Sequence, residues 1–375
     1  MIIKIFRVIT LFVITILQFY LFVNATPIFN PSNSGIIKIP LTKSRRSDID
    51  PVLLSLLKRD PQATIPVNYH VVRYTASILI GGQPLTILFD TGSDDLWVPS
   101  VYCTSTSCTN STLYDPRKSS TYKEVASPNN FTIRYGSGVV SGYTGQETVK
   151  LGGISITQQI FGLATSVTTN SYSDGGIMGI SFFQSNAPGV VQTMKAQKVI
   201  NKALVGFSYT GTDNNNYVTF GDVPNEYANS ISYNKVVDNT TWQILLSDIT
   251  VDGTSLGIRT NALVDAGSTL MYGSSQQVSA IHSKISGSSN NSNIWWIPCN
   301  TKSVISLVIG GISYDINPTH MARNRNSTSG LCRSGIQAQP SNVNANFFSI
   351  GQVFLNSFFA AFDIDNKQIG FAKTV

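Results

Sequence analysis

The sequence predicts an all-β protein made of two like halves. Three observations carry that expectation. Only 12% of the 375 residues are charged while 42% are apolar. A core is therefore affordable, but the Glu, Lys and Ala that helical bundles need are scarce. Strand-like apolar runs alternate with turn clusters rich in Gly, Asn and Ser. Finally, the chain echoes itself: Ile87-Leu88-Phe89-Asp90-Thr91-Gly92-Ser93 returns as Ala262-Leu263-Val264-Asp265-Ala266-Gly267-Ser268. Each half also carries a later apolar stretch ending on glycine, Ile177-Met178-Gly179 and Ser349-Ile350-Gly351. Such an echo suggests a duplicated domain, and the length suits about two domains.

The N-terminus reads as a targeting signal. Lys4 and Arg7 precede an apolar run from Val8 to Val23, and Val23-Asn24-Ala25 offers a small-residue cleavage site. The run is shorter than the ~20 residues of a usual membrane span, so residues 1–25 are expected to be removed, leaving no stable membrane anchor. Residues 26–59 follow as a basic segment ending in Lys58-Arg59, a dibasic pair suited to processing; Arg45-Arg46 is a second candidate. Residues 1–59 hold eight basic and two acidic residues, which accounts for the whole net charge of +6. The remainder is formally neutral, and that removes the electrostatic argument for binding nucleic acid. The mature chain is expected to begin near Asp60, with one lobe over 60–230 and a second over 231–375.

Within the body, strands are expected at Tyr74–Ile80, Leu85–Phe89, Phe131–Tyr135, Tyr217–Phe220 and Val304–Ile309. Turns are expected at Gly81-Gly82, Ser127–Asn130, Asp213–Asn216 and Asn290–Asn293. Helical periodicity is confined to Val190–Gln197 and Ser275–Ile285. A secreted chain can form disulfides. Its four cysteines allow three pairings, of which Cys103–Cys108 with Cys299–Cys332 keeps each bridge local to one half. Asn110, Asn130, Asn239, Asn290 and Asn326 stand in glycosylation sequons. The three histidines and the cysteines show no metal-ligand spacing, so neither metal nor cofactor is expected.

The chemistry lies in the two echoed turns. An apolar strand running into Asp-x-Gly-Ser sets one carboxylate at a sharp turn, where glycine lets the backbone approach. Two such turns brought together make a carboxylate pair. Two carboxyls about 3 Å apart cannot both ionise cheaply, so they share a proton. One then serves as base for a water and the other as acid, without a covalent intermediate.

The stretch Asp90-Thr91-Gly92-Ser93-Asp94-Asp95-Leu96-Trp97-Val98-Pro99-Ser100 closely resembles the first active-site motif of pepsin-like aspartic proteases. Val264-Asp265-Ala266-Gly267-Ser268-Thr269 resembles the second, and Ile133-Arg134-Tyr135-Gly136-Ser137-Gly138 the flap hairpin. Gly351-Gln352-Val353-Phe354-Leu355, Phe362-Asp363 and Ile369-Gly370-Phe371-Ala372 also fit, as do the two cysteine pairs. Ile37-Lys38-Ile39-Pro40-Leu41 resembles the start of the family's inhibitory pro-segment.

The resemblance implies a bilobal all-β fold around a cleft and an endopeptidase acting on protein or peptide substrates. It would be made as a zymogen inhibited by its own pro-segment, work as a monomer at acid pH, and be secreted, or else vacuolar. Asp90 and Asp265 would be the catalytic pair. Ser93 and Ser268 would bond the outer carboxylate oxygens, while Gly92 and Gly267 would supply backbone N–H groups. Thr91 would lock the two loops. Tyr135 would close over substrate with its hydroxyl near Trp97, Gly136 and Ser137 would bond the substrate backbone, and Ile177 would line an apolar subsite. The chain departs from the family at three places. Ala266 replaces a threonine, which removes one side of the loop lock; Asp94 adds a carboxylate beside the first motif; and Gly82 stands where a threonine is usual. The alternative reading is a pepsin-fold binding protein with impaired catalysis.

Overall fold

A computed structural model describes residues 36–46, 71–125, 130–135, 138–168, 175–183, 187–211, 215–326, 328–339 and 347–374. The signal segment, the dibasic Lys58-Arg59, Gly136 and Ser137 lie outside these residues. So do residues 127–129 of the turn expected at Ser127–Asn130 and residues 213–214 of the one expected at Asp213–Asn216.

Among the described residues strands predominate, arranged in four sheets. A nine-stranded sheet draws on residues 42–179. An eight-stranded and a four-stranded sheet draw on residues 243–350. A six-stranded sheet mixes both halves. Its order is Ile37–Pro40, Tyr217–Phe220, Leu204–Ser208, Phe358–Asp363, Gln368–Lys373 and Ser232–Lys235. Leu204 faces Asp363 across its central pair. The two halves are thus hydrogen-bonded to each other through backbone, and one apolar core runs beneath both.

The expected strands form with boundaries shifted by a few residues at most: Val71–Ile80, Gln83–Asp90, Asn130–Tyr135, Tyr217–Phe220 and Ile305–Ile309. The Gly81-Gly82 turn closes a hairpin with φ of 55° and 79°. A two-residue hairpin turn with both φ positive follows the sheet twist and favours glycine, which explains why Gly82 replaces the family threonine. The two expected helices form as Val190–Ala196 and Ser275–His282, and Asn225–Ala228, Pro318–Met321 and Gln352–Leu355 add single helical turns. Ser274 caps the second: its side chain accepts from the Gln277 N–H, and Gln277 reaches back to the Ser274 N–H. That helix stops at His282 rather than Ile285, because the chain then folds into turns. The turn expected at Asn290–Asn293 is tighter than that. Asn290 and Asn291 belong to a strand, and only Ser292 and Asn293 turn, with φ of 51° and 62°.

The segment Ile37–Pro40 forms the edge of the six-stranded sheet, antiparallel to Tyr217–Phe220. Ile39 and Leu41 are buried, and the Lys38 ammonium sits 3.5 Å from the centre of the Tyr217 ring. Thr42–Arg46 then pairs with Val71–Thr75. Gly152, at φ 55°, lies so close that a Cβ there would meet Ile37 at 2.7 Å.

Candidate active site

The echo in the sequence is an echo in topology. Gln83–Asp90 runs parallel to Ile177–Gly179, with Gly179 opposite Asp90; Ile177–Gly179 in turn lies antiparallel to Leu96–Pro99. In the second half, Thr260–Val264 runs parallel to Phe347–Ile350, which lies antiparallel to Met271–Gly273. Backbone bonds pin each turn to its neighbouring strand. Ile180 N–H donates to the Asp90 carbonyl at 2.8 Å, and Asp265 N–H donates to the Ile350 carbonyl at 2.9 Å. The buried side chains Leu85, Ile87, Leu88 and Phe89 hold the first strand in the core up to the point where Asp90 emerges.

Both carboxylates sit in matching cradles. Gly92 N–H donates to Asp90 Oδ1 at 3.0 Å and Ser93 Oγ to Oδ2 at 2.5 Å. Gly267 N–H and Ser268 N–H donate to Asp265 Oδ1 at 2.9 and 3.2 Å, and Ser268 Oγ to Oδ2 at 2.6 Å. The turn glycines bring the pair together. A Cβ on Gly267 would stand 2.3 Å from Asp90 Oδ1 and 3.2 Å from Asp265 Oδ1. One on Gly92 would stand 3.2 Å from both Oδ1 atoms. The inner oxygens therefore face one another across the two turns, with no room for a side chain there. Burial, followed by the charge of Asp265, pushes the Asp90 carboxyl up to about 7, against the opposing pull of Ser93 and Gly92. Two carboxyls this close disfavour ionising together.

Thr91 joins the halves. Its hydroxyl donates to the Val264 carbonyl and accepts from Ala266 N–H, both at 2.9 Å. Ala266, fully buried, returns no side-chain bond, so the lock is one-sided, as its methyl group implies. Asp94 is half-buried, and its backbone packs against Gly179.

Tyr135 ends the strand Asn130–Tyr135, and its hydroxyl accepts from Trp97 Nε1 at 2.8 Å. Burial and then the nearby Asp90 charge raise its phenol. Ile177 is 3% exposed and packs with Leu88, Trp97 and Phe131 beneath Tyr135. It is part of the core. Disulfides join Cys103 to Cys108 and Cys299 to Cys332. Asn110, Asn130, Asn239 and Asn290 are exposed; Asn326 is half-buried, and its Oδ1 accepts from Thr328 and Ser329 N–H.

Two residues near the pair carry no role in the sequence reading. Tyr209 is fully buried, stacks on Tyr74 at 4.1 Å between ring centres, and feels both aspartates. Nothing local in the sequence marks it. Gln352 is fully buried, and its Nε2 donates to the Ala266 carbonyl at 3.1 Å. A polar residue inside Phe347-Phe348-Ser349-Ile350-Gly351-Gln352-Val353-Phe354 is a signal that could have found it.

Two like β lobes that each deliver an Asp-x-Gly-Ser turn to one carboxylate pair define an aspartic-type endopeptidase with the pepsin-like fold. The eukaryotic aspartyl protease family model matches residues 73–374, and the chain belongs to that family. It is 33% identical to pepsin A of Bos taurus over 321 residues, 81% of this chain and 85% of the relative. It is 30% identical to cathepsin D of Dictyostelium discoideum over 333 residues, covering 83% and 86%. To pregnancy-associated glycoprotein 2 of Bos taurus it is 31% identical over 337 residues, covering 85% and 88%.

Proposed function

We propose that Asp90 and Asp265 hydrolyse peptide bonds by activating a water held between them. The observation that carries this is the matched cradling of two facing carboxylates, a pair whose cheapest state holds one proton. The ionised carboxyl takes a proton from the water as it attacks the peptide carbon. The protonated one gives its proton to the carbonyl oxygen and later helps the amine leave. Tyr135, anchored by Trp97, covers the substrate; Gly136 and Ser137 bond its backbone; Ile177 contributes to the apolar floor beneath.

The chain is made as a secreted zymogen that works at acid pH, with a vacuolar destination as the alternative. Residues 1–25 are the signal, and 26–59 are a pro-segment that inhibits the mature lobes 60–230 and 231–375. The seating of Ile37–Leu41 in the body supports this reading. Among the described residues no helix is long and apolar enough to cross a membrane. The enzyme acts as a monomer, and the exposed sequons accept glycans.

Asp90→Asn or Asp265→Asn should abolish acid hydrolysis of denatured haemoglobin, an activity that pepstatin should block in the wild type. Folding, followed by circular dichroism, should survive. Near-wild-type turnover in either purified variant would sink the two-carboxylate assignment.

A further inference from the structure

We propose that Gln352 is a positioning residue for the carboxylate pair, acting through the peptide unit between Ala266 and Gly267. The inference rests on the two-carboxylate reading above.

That peptide unit is planar and rigid. Its N–H, on Gly267, donates to Asp265 Oδ1 at 2.9 Å. Its carbonyl, on Ala266, accepts from Gln352 Nε2 at 3.1 Å. The two bonds form a chain, amide to carbonyl and N–H to carboxylate, and each member polarises the next in a buried setting. Gln352 thereby fixes the plane of the peptide and strengthens the donor that faces the carboxylate charge.

The backbone of Gln352 is committed to the same turn. Its N–H donates to the Ser268 carbonyl at 2.8 Å. Gly351 before it lies so close that a Cβ would meet the Leu270 carbonyl at 2.2 Å and that of Ser268 at 2.5 Å. The Asp265 turn is thus held at residues 265, 266 and 268 by the stretch Ile350-Gly351-Gln352. The backbone of Ala266 is bound on both sides, its N–H by Thr91 from the other half and its carbonyl by Gln352 from its own. Where the family threonine is missing, the glutamine supplies the second hold on this residue.

The first half has no such device. The residue matching Gln352 by topology is Ile180, which follows Gly179 and is buried and apolar. Nor is the amide there for stability. Gln352 Oε1 is buried and has no partner, a cost that an apolar side chain of the same size avoids. The titratable groups around the turn are Asp90, Asp265, Tyr135 from the flap strand and Tyr209 from the mixed sheet.

The test uses acid-activated full-length enzyme carrying Gln352→Met, Gln352→Glu or, as a control, Asp265→Asn, with kcat and KM measured against pH. Methionine keeps the volume and removes the donor. Its kcat should fall several-fold with KM nearly unchanged. The acidic limb of kcat/KM should move up by roughly half a pH unit, because the singly ionised pair loses part of its support. Glutamate should restore near-wild-type kcat at the acid end, where its protonated carboxyl can donate to Ala266, and lose it as that carboxyl ionises. A methionine variant with the wild-type limb and kcat would overturn the proposal. So would methionine and glutamate variants equally impaired at every pH, which would mark Gln352 as packing alone. If the methionine variant does not fold, the presence or absence of the pH-dependent loss in the glutamate variant decides. Activity in Asp265→Asn would instead overturn the two-carboxylate reading, and this proposal with it.

Discussion

Replacing Ala266 with threonine should make the lock between the two loops reciprocal. In the first half, Thr91 bonds the Val264 carbonyl and the Ala266 N–H. The echo matches Val264 to Phe89 and Ala266 to Thr91, so a hydroxyl at 266 would meet the Phe89 carbonyl and the Thr91 N–H. Each net bond is worth about 0.5–1.5 kcal/mol. Against this stands the crowding of two extra heavy atoms at a fully buried site, a kind of change that costs about 1–3 kcal/mol when the core cannot yield. The cost should fall at the low end, because the topology around residue 91 already accommodates a threonine in the same setting. The expected balance is a gain of about 1 kcal/mol, or a melting temperature higher by about 2–4 °C. Differential scanning calorimetry of inhibitor-free mature Ala266→Thr would measure it. Turnover should change less than twofold, since no proton-transfer group is added. A melting temperature at or below that of the wild type would refute the reciprocal geometry.

Three further outcomes follow from the site and its surroundings. His282 is fully buried, stacks on Trp295 at 4.4 Å, and contacts the Val278 carbonyl and Ser334 Oγ, each at 2.8 Å; burial lowers its pKa from 6.5 to about 4. Between those values the unfolded chain binds a proton that the folded chain refuses, so stability should fall by about 3 kcal/mol as pH drops from 6.5 to 4 and then level off. His320, lowered by burial and by Arg323 and Lys43, acts in the same direction. Urea titrations across that range should show a shallower slope in His282→Gln, and an unchanged slope would refute the assignment. Gly267→Ala should fold poorly or be inactive against peptide substrate, because its Cβ would stand 2.3 Å from Asp90 Oδ1; full activity would contradict the close approach of the two turns. Trp97→Phe removes the donor to Tyr135 and should raise KM several-fold while leaving the pH profile alone, as steady-state kinetics would reveal.

Much of this was legible from the sequence because it is local. Asp90 and Asp265 stand at the ends of apolar strands with glycine two residues on, so each turn advertises itself. Trp97 and Tyr135 lie within motifs that carry their own spacing. What local pattern cannot express is register between distant segments. Nothing in Ile37–Pro40 says that it pairs with Tyr217–Phe220, nor anything in Leu204–Ser208 that it pairs with Phe358–Asp363. Short helices such as Pro318–Met321 and Gln352–Leu355 complete only about one turn, too little for a periodicity to show. The hairpin at Ser292-Asn293 is narrower than the sequence implies, since a run of Asn and Ser marks a turn without saying which two residues take positive φ. Gln352 was visible as a residue but not as a role, because its partner is a carbonyl on a segment far away in the chain.

The mixed sheet also bears on how the protein is made. Leu204–Ser208 waits for Phe358–Asp363 as its neighbour, and a ribosome delivers those residues roughly 150 positions later, on the order of 10–30 s at ordinary translation speeds. Through that interval the nascent first half holds an unfinished sheet with one side open to any strand it meets. The stretch Phe358–Lys373 closes it, so a product cut short before Phe358 would lose not a tail but the seam of the molecule.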